Sequence, residues 1–593
     1  MINEEVIGGA LAGDPDRVVI EGLVKSFNRK TVLNALTTRF KGGLLTGLVG
    51  PDGAGKTTLL RLIAGLLHAD QGSIRILGQD VALDTEALRV DVGYMPQRFG
   101  LYEDLTIQEN LDLYATLREV PSSDRARVFE ELLEFTRLGP FTQRLAGRLS
   151  GGMKQKLGLA CAMISEPKVL LLDEPSVGVD PVSRQDLWRM VSVLTAKGVA
   201  VIWATAYLDE AERCQRVLLL NEGSVLFDGP PEVLSNTMTD RLFSISQCPG
   251  DKRQHLSTIL GFSSVSDGVI QGDALRVVTR TPHDLSELNP YVERIGARIQ
   301  STTPRFEDGF IDRLGGGPGG RSELAERIAM QNLDTRAPVE CRQLTKSFGD
   351  FVATDEVTFS VRPGEIFGLL GPNGAGKSTT FKMLCGLLKA SSGEALVAGL
   401  NLRTASSEAK SRLGYMAQKF SLYGLLSVLQ NLEFSAGVYG LEGEDKRARI
   451  AEMIEIFHLE PYLDSPPNDL PLGFKQRLAL ACAVIHHPPV LFLDEPTSGV
   501  DPITRREFWT HINAMVQKGI TVLVTTHFMD EAEYCDRVAL MHQSRLIALD
   551  TPDGLKARVS PEHGPLPSME ETFIALIEAV ESQVPVLNSK EAS

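Results

Sequence analysis

The sequence predicts an α/β protein built from two similar units in tandem, and three observations carry that prediction. The first is the stretch Gly371-Pro372-Asn373-Gly374-Ala375-Gly376-Lys377-Ser378, which meets every position of G-x-x-x-x-G-K-[S/T], and its repeat Gly50-Pro51-Asp52-Gly53-Ala54-Gly55-Lys56-Thr57. The second is context. Short apolar runs, Ile366 to Leu370 and Leu44 to Val49, precede the two loops, and apolar residues at helical spacing follow them: Phe381, Leu384 and Leu388 in one case, Leu59, Leu60, Ile63 and Leu67 in the other. The third is a constant displacement of 321 residues, which carries Gly50 onto Gly371, Gln97 onto Gln418, Lys154 onto Lys475, Asp173 onto Asp494 and Asp180 onto Asp501. A displacement that never slips across so many segments means duplication of a complete domain.

The bulk properties agree with this. At 593 residues the chain exceeds what one hydrophobic core holds, and the repeat divides it into units of about 230 to 300 residues. With 43% hydrophobic and 23% charged residues the composition is that of an ordinary globular protein, and no uninterrupted apolar run is long enough to span a bilayer. Met1 to Asp16 is acidic and contains glycine, unlike a basic segment followed by an apolar run, so a secretory leader is not expected. The seven cysteines (161, 214, 248, 341, 385, 482 and 535) form no C-x-x-C pair, which points to reduced thiols and away from disulfides or zinc. A net charge of −16 disfavours nucleic acid as a partner.

Each segment then has a chemical reading. The loop glycines let consecutive backbone N–H groups turn inward around phosphate oxygens, and the loop opens a helix whose positive end faces the anion. Lys377 and Lys56 add a point charge, and the hydroxyls of Ser378 and Thr57 are suited to Mg²⁺, so a nucleoside triphosphate is the natural ligand. Phe27 and Phe348 each lie 23 residues before their loop, where an aromatic ring either stacks on a purine or closes a strand-end core; spacing leaves both open. Largely helical stretches follow, including Gln108 to Leu117 and Asp124 to Leu138. In Leu149-Ser150-Gly151-Gly152-Met153-Lys154-Gln155, Ser150 reads as a helix cap, with two glycines permitting close approach to free N–H groups. The runs Val169 to Pro175 and Val490 to Pro496 read as buried strands ending in Asp-Glu: Asp173 and Asp494 suit Mg²⁺, while Glu174 and Glu495 suit polarisation of an attacking water.

Taken together, the order phosphate loop, Gln97 or Gln418, Leu-Ser-Gly-Gly, apolar-Asp-Glu-Pro, Val-Asp-Pro and Thr525-Thr526-His527 resembles the ATP-binding cassette (ABC) ATPases, over about residues 17 to 235 and 337 to 555. The resemblance implies two tandem P-loop (RecA-like) nucleotide-binding domains, each with an antiparallel β subdomain and a helical signature subdomain. It implies ATP and Mg²⁺ as ligands. ATP would be held by Gly371, Asn373, Gly374, Gly376, Lys377, Ser378, Thr379 and Phe348 in one half, and by Gly50, Asp52, Gly53, Gly55, Lys56, Thr57, Thr58 and Phe27 in the other. Signature residues Ser150, Gly151, Gly152 and Gly473 complete the contacts. Mg²⁺ would be held by Ser378, Gln418 and Asp494 and by Thr57, Gln97 and Asp173; Glu495, His527, Gln418 and Glu174 are the implied catalytic residues. It also implies that two cassettes clamp two ATP molecules head to tail, each nucleotide between the loop of one and the signature of the other. The chain then supplies its own cassette pair, and no homodimer is required.

Past Glu212 the halves diverge. Leu218 to Phe227 reads as closing strands, and the region 236–314 reads as an appendage of the first cassette, with Leu275 to Thr279 strand-like and Pro304-Arg305-Phe306-Glu307-Asp308-Gly309-Phe310-Ile311 near its end. Pro567 to Ile574 is its counterpart. From Phe310 to Phe573 the displacement has fallen to 263, which makes the first appendage 58 residues longer. This acidic-Phe ending is similar to the C-terminal tail of ATPases serving ABC-2 type exporters. The expected organisation is therefore a flexible tail (1–16), a first cassette (17–235), its appendage (236–314), a Gly-rich linker (315–336), a second cassette (337–555) and a terminal tail (556–593).

Two departures from the pattern distinguish the halves. At the position of His527 the first half has Ala206, which cannot bridge a phosphate and a glutamate. At the position of Ser150 and Gly151 the second half has Pro471 and Leu472, losing a hydroxyl, an N–H and close backbone approach, while Gly473 is kept. In a crossed pair both defects fall on the site of Lys56, Asp173 and Glu174. The site of Lys377 and Glu495 receives the intact Ser150, Gly151 and Gly152.

The expected role is the ATP-hydrolysing subunit of an ABC-2 type exporter on the cytoplasmic face of the inner (plasma) membrane. It would serve two separate integral membrane permease subunits, contacted near Gln97 to Tyr102 and Gln418 to Tyr423. A fused ATPase of a sugar importer is the alternative, with the acidic-Phe tail favouring export. A double-cassette translation factor would carry a charged helical arm and two intact signatures, and this chain has neither.

Overall fold

The computed structural model describes residues 16–28, 30–83, 90–97, 100–331, 337–418, 422–560 and 566–583. Residues 1–15 of the expected N-terminal tail, 332–336 of the linker, and 561–565 and 584–593 of the terminal tail lie outside the described residues. So do Arg98, Phe99 and Lys419 to Ser421 of the expected permease-contact stretches.

The chain divides into two units. One holds the residues up to Val179, Ser183–Thr237 and Arg305–Phe310; the other holds Asp180–Val182, Met238–Pro304 and everything from Ile311 onward. In the first, a six-stranded sheet runs in the order Ser224–Gly229, Arg216–Asn221, Leu45–Val49, Ala200–Ala204, Val169–Asp173, Val92–Met95. All neighbours are parallel except the first pair. Strands buried on both faces need apolar residues throughout, and every residue of Leu45–Val49, Val169–Asp173 and Ala200–Ala204 is buried. Beside it stands a four-stranded antiparallel sheet, Lys30–Lys41, Asp16–Phe27, Gln71–Ile76, Gln79–Asp80.

A helical portion, Ile107–Leu117, Ser122–Thr136 and Gly151–Met163, packs around its own apolar cluster, including Leu111, Val128, Leu132 and Leu157. The first of these helices begins in a capping box between Thr106 and Glu109. Phe306 and Phe310 of the acidic-Phe segment are fully buried, and the Phe306 N–H donates to Glu212 Oε1 at 3.2 Å.

The second unit repeats this plan. Its large sheet runs Leu413–Met416, Val490–Asp494, Thr521–Thr525, Ile366–Leu370, Arg537–His542, Arg545–Asp550, and its antiparallel sheet Phe351–Val361, Val339–Phe348, Ser392–Val397, Leu400–Asn401. Helices Val428–Val438, Gly443–Ile456 and Leu472–Val484 form the helical portion, and the helix Met569–Gln583 buries Met569, Phe573 and Ile577 in the core.

This unit holds two things that chain order and composition did not place there. Residues Met238–Pro304, which follow the first cassette in sequence, form a four-stranded antiparallel sheet in the order Val265–Gln271, Ala274–Thr279, Leu242–Ser246, Arg298–Ser301, with helices Lys252–Ile259 and Leu288–Ile295 as crossovers. A β-α-β-β-α-β order with these neighbours is the ferredoxin-like arrangement. It is joined to the second cassette by buried polar contacts. Arg253 Nη2 lies 2.7 Å from Asp536 Oδ2, Arg253 Nε donates to Asn513 Oδ1 at 3.1 Å, and Arg506 Nη2 lies 3.3 Å from Asp267 Oδ2. Asp536 Oδ2 also accepts from Ile366 N–H at 2.9 Å, at the start of the strand leading to Lys377.

The second is the far end of the linker segment: the sequence reads Ser322 to Asn332 as a short helix, and Glu323–Arg327 is helical and packed into this unit's core. Ser322 caps the helix Glu323–Arg327, and Leu324 and Ile328 are 0% and 1% exposed in the second unit's core. Apolar anchors four residues apart outweigh the glycines preceding them. Among the described residues no helix is long and apolar enough to cross a membrane.

Candidate functional site

In each large sheet the topology assembles the site. The strand ending at Leu370 and the strand ending at Asp494 flank Thr521–Thr525, so the phosphate loop, the Asp-Glu pair and Thr525 to His527 emerge side by side at the carboxyl ends of neighbouring parallel strands. The first unit does the same with Val49, Asp173 and Ala204. Each loop then opens its helix, Lys56–Ile63 or Lys377–Leu384, from a glycine in the left-handed region, Gly55 at φ 104° and Gly376 at φ 97°. A Cβ on Gly376 would sit 2.3 Å from Ala353 O, so both conformation and space require glycine there.

Both loop lysines bond carbonyls of their own loops. Lys377 Nζ donates to Gly371 O at 2.6 Å and Pro372 O at 2.9 Å; Lys56 Nζ donates to Gly50 O and Pro51 O at 2.6 and 3.1 Å. Both are buried, and burial lowers the pKa of Lys377. Gln418 Nε2 reaches Glu495 Oε2 at 2.6 Å, and Gln97 reaches Glu174 Oε2 at the same distance. Both glutamates carry a positive φ, 49° for Glu495 and 50° for Glu174, a backbone strain of about 1 to 3 kcal/mol that the strand-end packing sustains.

The halves then part. His527 is 3% exposed, and its Nδ1 lies 3.3 Å from Glu495 Oε2. Burial pushes Glu495 upward, but the neighbouring His527 and Lys377 outweigh it and hold the carboxyl below its ordinary value. In the first unit the sequence has Ala206 at the histidine's place, and burial prevails over Lys56 and pushes the Glu174 carboxyl up to about 7. The Asp partners, Asp173 and Asp494, are both raised by burial.

Sequence reasoning named Thr525 within the Thr-Thr-His segment but gave it no role. Its hydroxyl donates to Asp494 Oδ1 at 2.5 Å and accepts from Glu495 N–H at 3.0 Å, tying both carboxylate residues to one side chain. The signal was present: the displacement of 321 sets Thr525 against Ala204, two residues before the Ala206 already singled out. In the first unit Glu174 N–H bonds the backbone O of Ala204, and Asp173 accepts from Thr57 Oγ1 at 3.1 Å. Thr525→Ala is expected to lower ATP turnover by about tenfold, one hydrogen bond of about 1.4 kcal/mol, with little change in the thermal midpoint; a steady-state phosphate-release assay checks it.

The signature helices differ in their caps. Ser150 Oγ accepts from Met153 N–H at 3.3 Å at the start of Gly151–Met163, whereas Pro471 starts Leu472–Val484 with no side-chain cap. A Cβ on Gly152 would meet Ser183 Oγ at 2.5 Å, and one on Gly473 would meet Thr504 Cγ2 at 3.3 Å. Phe27 and Phe348 are 41% and 51% exposed at strand ends, each with a lysine over its ring (Lys25 at 5.2 Å, Lys346 at 5.0 Å), so neither belongs to a core. Hydroxyl, amide and carboxylate oxygens are the donor set at both loops; Thr57 beside Asp173 fits a hard divalent cation such as Mg²⁺.

A phosphate loop at the carboxyl end of a parallel sheet, with a strand-borne Asp-Glu pair and a glutamine beside it, defines a nucleotide-hydrolysing protein of the P-loop class. The chain belongs to the ABC transporter family of ATP-binding proteins. The ABC transporter family model matches twice, over residues 33–177 and 354–498. The chain is 55% identical over 566 residues to the probable multidrug ABC transporter ATP-binding protein YbhF of Escherichia coli (strain K12), covering 94% of this chain and 97% of that protein. It is 33% identical over 298 residues to the Nod factor export ATP-binding protein I of Rhizobium sp. (strain N33), covering 50% of this chain and 96% of that protein. The corresponding protein of Burkholderia orbicola (strain AU 1054) is 39% identical over 220 residues, covering 37% of this chain and 72% of that protein. The chain is an ATPase of the ABC transporter type, with two tandem cassettes that bind ATP.

Proposed function

We propose that this chain is the fused ATP-binding subunit of an ABC-2 type exporter, seated on the cytoplasmic face of the inner membrane against two integral permease subunits, and that it hydrolyses ATP chiefly at the site of Lys377. One observation carries the asymmetry: Glu495 is met by both Gln418 Nε2 and His527 Nδ1 in the second cassette, while Glu174 is met by Gln97 and the chain has Ala206 at the histidine's place. In the crossed arrangement proposed from the family pattern, Ser150 to Gly152 complete the Lys377 site and Pro471 to Gly473 the Lys56 site.

The chain's own residues divide the work. The loop N–H groups and Lys377 bind and orient the triphosphate; Glu495, held ionised, accepts a proton from the attacking water; His527 fixes the Glu495 carboxylate and stands where the γ-phosphate would be. Mg²⁺, held by Ser378, Gln418 and Asp494, supplies charge neutralisation on the phosphates when bound. Export is supported by the two relatives that are Nod factor export ATP-binding proteins, and a multidrug ABC transporter ATP-binding protein as the third relative is compatible with it.

Permease contact is proposed at Gln97 to Tyr102 and Gln418 to Tyr423. Beside the latter, a groove of about 560 Å³ is lined by Tyr415, Met416, Leu422, Tyr423, Phe434 and Val438, with Tyr423, Phe434 and Val438 exposed, a suitable seat for an apolar helix. The test is flux in inside-out vesicles containing the chain and its co-purifying membrane proteins. ATP-dependent uptake of an efflux dye into such vesicles, abolished by Lys377→Ala, is the expected result; ATP-dependent release, or co-purification with ribosomes, would overturn the reading.

A further inference from the structure

The ferredoxin-like segment Met238–Pro304 meets the second cassette on polar residues that the first cassette does not have. Asp536, Arg506 and Asn513 bond it. Moved back by 321 residues, their places are held by Gln215, Gln185 and Ser192, none of them charged. The charges lie inside the contact: Arg253, Asp267 and Arg506 are 6%, 4% and 8% exposed. Charges withdrawn from water are costly unless each meets a partner, so the second cassette carries a surface matched to this segment.

Asp536 is more than a point of attachment. It precedes the strand Arg537–His542, which pairs in parallel with Ile366–Leu370, the strand that leads into Gly371. Asp536 and Ile366 exchange two hydrogen bonds: the Asp536 N–H donates to Ile366 O at 2.9 Å, and the Ile366 N–H donates to Asp536 Oδ2 at 2.9 Å. The same Oδ2 accepts from Arg253 Nη2 at 2.7 Å. At the other end of the strand pair, Met541 O stands so close to Gly371 that a Cβ there would collide with it, and Thr380 Oγ1, in the helix after the loop, lies 3.9 Å from Met541 Sδ. The register of these two strands therefore sets the seat of the phosphate loop, and Asp536 pins that register where the strands begin. In the first unit the corresponding Leu45 N–H donates at 2.9 Å to Oε1 of Gln215, a neutral amide that calls for no counter-charge.

We propose that Arg253 is a positioning residue for the Lys377 loop. By neutralising Asp536 it holds the first residue of the strand that carries the loop, so ATP binding by the second cassette depends on the segment that follows the first cassette in the chain. Without the guanidinium, the Asp536 side chain, already 27% exposed, would turn to water and release the Ile366 N–H. The Lys56 loop is anchored without a charge and has no such dependence. This holds whichever loop supports turnover.

The experiment measures binding of the fluorescent analogue trinitrophenyl-ATP, with Mg²⁺, to the full chain carrying Lys56→Ala, which leaves the second loop to report. Arg253→Leu is expected to weaken binding by about tenfold and to speed hydrogen exchange over residues 366–370 by about tenfold. Adding Asp536→Gln, which copies Gln215, is expected to bring both values back to within about twofold. In a full chain carrying Lys377→Ala instead, where the first loop reports, Arg253→Leu is expected to leave binding unchanged. Unaltered binding and exchange at the second loop would overturn the role of Arg253, and so would an equal loss at both loops, which general unfolding produces. If Arg253→Leu alone is insoluble, the double variant decides: nucleotide binding recovered by Asp536→Gln supports the role, and binding not recovered refutes it.

Discussion

Glu495→Gln is expected to lower steady-state ATP turnover by about a hundredfold to a thousandfold, while Glu174→Gln changes it by less than about twofold. The two residues share burial, a positive φ and a glutamine partner at 2.6 Å, so the difference rests on what surrounds the carboxylate. Glu495 has His527 at 3.3 Å to fix its carboxylate, whereas Glu174 has Ala206 at the histidine's place in the sequence and lacks that orienting partner. Losing one preorganised group at a reacting centre costs about 3 to 4 kcal/mol, which corresponds to that range. Phosphate release by the two purified variants at saturating ATP, with nucleotide binding measured alongside, decides the matter. Equal losses would remove the asymmetric model.

Restoring the damaged site is expected to recover activity. In a Glu495→Gln background, Ala206→His together with Pro471→Ser and Leu472→Gly should raise turnover by about tenfold or more, because it returns a histidine, a hydroxyl, a backbone N–H and room for close approach. The structure gives the serine a second effect. Ser150 caps its helix through Met153 N–H, and Pro471 has no such cap, so Pro471→Ser should also stabilise Leu472–Val484 by about 1 kcal/mol. The discriminating control is Pro471→Ser with Leu472→Gly but without Ala206→His. If that pair restores as much as the triple change, the histidine is not the limiting loss; if the triple change restores nothing, the crossed assignment of signatures to loops fails.

Much of the site was legible because its chemistry constrains residue type at fixed spacing. The two loops, the Asp-Glu pairs, the glutamines and His527 fall where parallel strands end, and a constant displacement exposed Ala206, Pro471 and Leu472 with no structure in hand. Thr525 was named with His527 but had no role assigned, because a threonine at a strand end is ordinary in composition; its side-chain hydrogen bonds with Asp494 and Glu495 give it one. Phe27 and Phe348 could not be told from core residues by spacing, since an aromatic at a strand end has the same pattern whether its ring faces inward or outward.

What the sequence determined by itself was therefore the duplicated α/β plan, the phosphate-loop motifs and the residue differences between the two halves. These depend on local backbone geometry and on side-chain chemistry within one motif, which a string of residues carries directly. Only the tertiary structure decided where the residues between the cassettes belong. Met238–Pro304 follow the first cassette in the chain but fold against the second, through Arg253 with Asp536 and Arg506 with Asp267. Ser322 to Asn332 read as a short helix with no place assigned, and the structure sets Leu324 and Ile328 of that segment in the second unit's core. Both outcomes come from long-range burial and charge pairing, which depend on which surfaces meet and leave no periodic trace in the sequence.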